Sequence, residues 1–150
     1  MKKLPKEYVI VEIIPTNSSS KKGVIAQIQA LKIKDGKIID RLDLRINEDK
    51  ILNKDLLAMI SYDKEMFTYT SDLLNMFKEF IKKDKLLIID NFYTLDYLSC
   101  LENKKESVFG YLGMEYSIDV FDKIIIKYKL EPSNHLVDLL YEALVFETNN

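Results

Sequence analysis

Apolar positions follow two rhythms along this chain. Tyr8-Val9-Ile10-Val11-Glu12-Ile13-Ile14 is strand-length, β-branched and almost continuously apolar, and Pro15 and the polar stretch Thr16 to Lys22 close it. Such a run suits a strand covered on both faces. Gly23 to Ile33 resumes as a strand, and Asp35-Gly36 is a two-residue hairpin signal. Beyond it Leu42, Leu44 and Ile46 alternate with Arg41, Asp43 and Arg45, the period of a half-exposed strand. The rhythm turns helical at Ser71, a candidate N-cap, with Leu73, Leu74, Phe77, Phe80 and Ile81 as the buried stripe. Lys85 to Ile89 is a short buried strand that runs into Asp90-Asn91-Phe92. Thr94 is placed to cap a helix carrying Leu95, Leu98 and Leu101, and Glu102 to Glu106 reads as a polar segment. Ser117 is placed to cap a helix through Tyr128 with Ile118, Phe121, Ile124 and Ile125 inward, and Pro132-Ser133-Asn134 opens a last helix from Leu136 to Phe146. Three strands, a helix, a strand and further helices make an α/β fold with a mixed sheet: the hairpin gives antiparallel neighbours and the strand–helix–strand crossover a parallel one.

Composition narrows the classes. With 150 residues, 47% of them hydrophobic, the chain is expected to form one domain with a real core. A net charge of -2 provides no global basic footprint for nucleic acid, though a local one is compatible with it. The single Cys100 excludes an internal disulfide and a cysteine-based zinc cluster. Neither a signal-peptide core nor an apolar run of about 18 residues is present, so a cytoplasmic protein with no membrane partner is expected. Basic character is almost all lysine; Arg41 and Arg45 are the only arginines, so bidentate phosphate clamps are scarce.

The order of elements and several local strings resemble the DnaQ-type (DEDD superfamily) 3′–5′ exonucleases of the ribonuclease H-like fold, from Tyr8 to Phe146. Val9 to Asn17 (VIVEIIPTN) resembles the family's first motif, an Asp and a Glu two residues apart followed by Thr-Thr-Gly. Gly23 to Asn47 is similar to its second and third strands, and Met59 to Thr70 (MISYDKEMFTYT) to the loop before its first helix. Ile88 to Leu98 (IIDNFYTLDYL) stands where the family has His-Asn followed by Phe-Asp. Tyr116 to Phe146 resembles the closing helices, where a His and an Asp five residues later complete the site. The resemblance implies a mixed sheet flanked by helices, and a degenerate catalytic set of Glu12, Asp96, His135 and Asp138. It also implies Asn91, Tyr62 and Phe67 at the substrate, and Glu12 with Asp138 as ligands of one Mg²⁺ or Mn²⁺ ion held weakly if at all.

The departures from the pattern carry chemical weight. Glu12 keeps the first carboxylate with one more methylene, whereas the second falls on Ile14, which cannot ligate a metal. The third falls on Leu95, with Asp96 one residue late; His135 and Asp138 stand three apart instead of five, and the family's second-motif His is Asp90. Two divalent ions ~3.8 Å apart repel by roughly 18 kcal/mol at an effective dielectric of about 20, which is why the family gathers four carboxylates. Magnesium also demands near-octahedral oxygen geometry. The expectation is therefore a pseudo-exonuclease that binds single-stranded nucleic acid or a protein partner. The alternative is an active exonuclease on single-stranded DNA or RNA that uses Glu12, Asp96 and Asp138 with Mn²⁺.

Each residue also has a structural reading. A carboxylate within VIVEII must face a polar cleft, pair with lysine or lie at an edge, because its burial unpaired is costly. Asp96 suits a helix's first turn. His135 and Asp138 share a helical face and could pair with each other. Asp90-Asn91 could bond the turn. Tyr62, Phe67 and Tyr69 could stack on bases or pack in the rim of the core, and the paired lysines could be solvated faces.

Overall fold

The computed structural model describes residues 3–46, 67–68 and 70–148. Six strands form one mixed sheet: β1 Glu7–Pro15, β2 Ile25–Lys34, β3 Lys37–Ile46, β4 Phe67–Thr68, β5 Lys85–Ile88 and β6 Lys105–Ser107. Their order across the sheet is β4-β3-β2-β1-β5-β6. The β1–β2 and β2–β3 pairs are antiparallel, and β5 lies parallel to both β1 and β6. Among the described residues four helices flank the sheet: α1 Thr70–Ile81, α2 Thr94–Leu98, α3 Val120–Tyr128 and α4 Leu136–Thr148, with a 3₁₀ turn at Val108–Tyr111.

Strand β1 is covered on both faces, as its unbroken apolarity requires. On one face Val9, Val11 and Ile13 pack with Leu73, Phe77 and Ile81 of α1 and with Tyr97 and Leu98 of α2. On the other, Tyr8 and Ile10 pack with Phe109, Ile124 of α3, and Val137, Leu140 and Leu144 of α4. Sheet and helices thus form an α/β sandwich with a core on each side of the sheet. The hairpin turn falls where the sequence puts it: Asp35 and Gly36 have φ of 51° and 78°, the positive pair that a I′ turn needs.

Several local expectations are corrected. Ser71 lies inside α1, which begins at Thr70. Thr94 is the first residue of α2 and Tyr93 holds the N-cap position, but the capping bonds come from Asn91, whose Oδ1 accepts from the amides of Tyr93 and Thr94 (3.3 and 3.0 Å) and from the Thr94 hydroxyl (2.6 Å). Leu95 is exposed, and Leu101, though buried, follows the end of α2. Helix α3 starts at Val120, so Ile118 precedes it and stands fully exposed at 101% of its reference surface. The stretch read as polar after α2 runs into β6, whose three residues pair with β5. Alternation over three residues is too short to register as a strand.

Candidate functional site

The sheet face that carries α4 turns polar at one end. Register places Glu12 of β1 opposite Gln29 of β2, and Gln29 opposite Asp43 of β3, in a row across three strands. Beside them Gln27 Nε2 donates to Asp43 Oδ1 at 3.2 Å and Arg45 Nη2 to Asp43 Oδ2 at 2.9 Å. Gln27, Gln29 and Arg45 are buried. Polar side chains so placed are kept by their mutual hydrogen bonds.

Glu12 is the exception. Its Oε2 is buried with no hydrogen-bond partner among the described residues. Burial, and then the charge of Asp43, push its carboxyl up to about 8, against a partial counter-effect from the Leu136 backbone amide. At neutral pH the group is therefore mostly protonated. It lines a cavity of about 150 Å³ with Ile13 and Ile89 from the strands, Asn91, Tyr93 and Thr94 from the α2 entry, and Tyr116, Ser117, Ile118, Phe121 and Leu136. Burial raises the Tyr93 hydroxyl above its ordinary value; Asn91 opposes this and Glu12 adds to it. Asn91 thus both caps α2 and faces the cleft.

The remaining predicted residues lie elsewhere. Asp96 Oδ2 accepts from the Ser20 amide at 2.9 Å, and the Tyr97 hydroxyl beside it donates to the carbonyls of Asn17 (2.5 Å) and Ser19 (3.1 Å). These contacts pin the β1–β2 loop, and the loop amide holds the Asp96 carboxyl below its ordinary range. Asp138 receives both guanidinium nitrogens of Arg41, at 2.5 and 3.1 Å. His135 Nδ1 accepts from Gln29 Nε2 at 3.1 Å. The expected pairing of His135 with Asp138 is replaced by separate bonds from each to the β2–β3 hairpin, and Tyr141 adds a third by donating to the Gly36 carbonyl at 2.8 Å. Asp90 accepts from Ser107 at 2.7 Å. Phe67 is the first residue of β4, opposite Arg45, and Tyr62 lies outside the described residues.

These positions bear directly on metal binding. Among the described residues no group of three or more His, Cys, Asp or Glu side chains is gathered to hold an ion. Glu12 stands in no such group, Asp138 is engaged by Arg41, and Asp96 holds the β1–β2 loop. The described residues do not fit a two-metal centre.

Sequence reasoning did not single out Tyr93, Tyr116, Ser117, Gln29 or Asp43 as part of this site. A polar residue interrupting an apolar strand was the available signal for Gln29; the aromatic and hydroxyl lining had none.

Comparison with solved structures agrees with the fold. A crystal structure described as a full-length 3′-exonuclease superposes with a TM-score of 0.63 over 95% of this chain and 80% of that one, at 11% sequence identity. At that identity the likeness speaks for the architecture, an exonuclease-like, ribonuclease H-like α/β fold. No family model and no curated protein matches the sequence. No helix among the described residues is long and apolar enough to cross a membrane.

Proposed function

We propose that this chain is an exonuclease-fold binding module, one that retains the scaffold and cleft of a 3′–5′ exonuclease without efficient two-metal hydrolysis. The observation that carries the reading is the isolation of Glu12: the acid at the first-motif position has a buried, unpartnered oxygen, and the acids that should join it are bonded to Arg41 and to the Ser20 amide. A carboxyl with no group of three or more acids gathered around it among the described residues offers Mg²⁺ too few of the oxygen donors it requires. The likeness to a 3′-exonuclease supports single-stranded nucleic acid as the class of molecule to test for hydrolysis.

The test is an incubation with 3′-labelled single-stranded DNA and RNA in Mg²⁺ and then Mn²⁺, alongside a Glu12→Ala/Asp138→Ala double variant. The expected result is no trimming above the variant. Metal-dependent trimming by the unaltered protein alone would instead establish the second reading, an exonuclease with a variant acidic site built from Glu12, Asp96 and Asp138.

A further inference from the structure

We propose that the Glu12 cleft is a docking site for a polypeptide partner that inserts one lysine or arginine side chain, flanked by apolar residues. The inference rests on the non-hydrolytic reading above and names the class of partner.

Three observations converge. First, the cavity holds a buried polar atom, Oε2 of Glu12, that no described residue pairs with, and among the described residues its lining contains no Lys, Arg or His. A buried polar atom left unpaired is destabilising, and a ligand that pairs with it relieves that. Second, the cavity measures about 150 Å³, below the roughly 300 Å³ at which small-molecule pockets begin, and suits a single long side chain. Third, exposed apolar side chains stand on or next to residues that line the cavity. Ile118 is 101% exposed, Phe92, stacked edge-on against Tyr93, is 82% exposed, and Tyr116 is 41% exposed. Glu115, Asp119 and Asp122 are exposed in the same segment, and its first base, Lys123, is engaged by Asp119 at 3.4 Å.

Charge decides between occupants. A nucleic-acid strand brings phosphates, which need Lys or Arg at the contact; among the described residues this lining provides a carboxyl and no base. A cationic side chain brings donors to the unpartnered Glu12 carboxyl and favours its ionised form, while its apolar neighbours cover Ile118 and Phe92. Such an arrangement of apolar contacts around one buried polar anchor is what concentrates binding energy at protein interfaces.

The experiment is a protein-observed NMR titration with the capped pentapeptide Ala-Leu-Lys-Phe-Ala, repeated with norleucine in place of its lysine. Saturable shifts are expected at the amides of Glu12, Asn91, Tyr93 and Ser117. Affinity should fall at least about tenfold for the norleucine peptide and for the Glu12→Gln protein. Ile118→Ser, at a fully exposed side chain, should weaken binding several-fold, whereas Ile126→Ser, at an exposed position off the cleft, should not. Equal binding of the norleucine peptide, no binding, or shifts mapped to another surface would overturn the proposal. So would shifts at these amides on titration with oligothymidylate in the absence of any from the peptide, or cleft resonances that move only with protein concentration, which would assign the face to nucleic acid or to a second copy. None of these outcomes alters the hydrolysis assay, so the two readings fail separately.

Discussion

Replacing Glu12 by glutamine tests the electrostatics of the cleft most directly. The amide is isosteric and keeps an oxygen to accept from the Leu136 backbone, but it does not ionise. In the unfolded chain this carboxyl titrates near 4.5, and in the folded protein near 8. Below the unfolded value both states hold the proton and the group contributes nothing to the pH dependence. Between the two values the unfolded state has lost the proton while the native state keeps it, so stability falls as pH rises; above about 8 both are ionised and the loss is complete. The ceiling on that loss is about 5 kcal/mol, from 1.36 kcal/mol per unit over the interval, and local relaxation and water entry reduce it to roughly 2–4 kcal/mol. Urea unfolding of both proteins at pH 5, 7 and 9, in chelator, measures it. The stability of Glu12→Gln relative to the unaltered protein should rise across that range by this amount, other titrations cancelling in the difference. A difference constant to within about 0.5 kcal/mol would show that Glu12 finds water or a cation in solution, and the isolated buried carboxyl would have to be abandoned.

Three further substitutions probe how the site is held. Asn91→Ala removes the acceptor of three bonds at the α2 entry and should cost about 1–2 kcal/mol in chemical denaturation, with faster amide exchange at Tyr93 and Thr94. Gly23→Ala would set a methyl 2.6 Å from Asn17 Cβ and 2.8 Å from both the Thr16 and Tyr97 hydroxyl oxygens; a loss of about 1–3 kcal/mol and a loosened β1–β2 loop are expected from thermal unfolding and NMR. Asp138→Asn breaks an ion pair whose arginine is half exposed, so the cost should stay below about 1 kcal/mol and fade in high salt. A larger, salt-insensitive loss would mean that the Arg41–Asp138 contact is more deeply built into the fold than its exposure suggests.

The sheet and its helices were legible because strand runs and helical stripes are long: β1 is nine residues and α1 twelve. What escaped was short or depended on register. A regular two-residue turn at Asp35-Gly36 would pair Gln29 with Leu42, leaving Asp43 on the opposite face. The pairing does start that way, with Lys34 opposite Lys37 and Ile33 opposite Ile38, and then an extra residue in β3 sets Lys32 opposite Asp40. That bulge turns Ile39 out to solvent at 54% exposure and brings Asp43 beside Gln29. A one-residue shift exchanges the faces of every residue beyond it. No local sequence feature announced it, so the charge that acts on Glu12 could not be anticipated. Ile118 failed for a related reason: its periodicity matched a helix that starts two residues later.

The fate of the candidate acids follows from where the two arginines lie. Carboxylates gathered at the end of a sheet repel one another, and a fold that places them there needs cations. In an exonuclease of the resembling family, metal ions supply that charge. Here both arginines of the chain stand on β3, Arg41 against Asp138 and Arg45 against Asp43. Guanidinium neutralises a carboxylate without octahedral geometry and without a second or third acid, because its fork matches two oxygens directly. Once Asp138 is satisfied in this way, it and His135 tie the first turn of α4 to the hairpin, and Tyr141 extends the same stripe by a turn. Glu12, two strands away on β1, receives no arginine among the described residues, and burial then pushes its carboxyl up. The acid left without a cation is the one that faces the cleft, which is why the proposed partner is one that brings a cation to it.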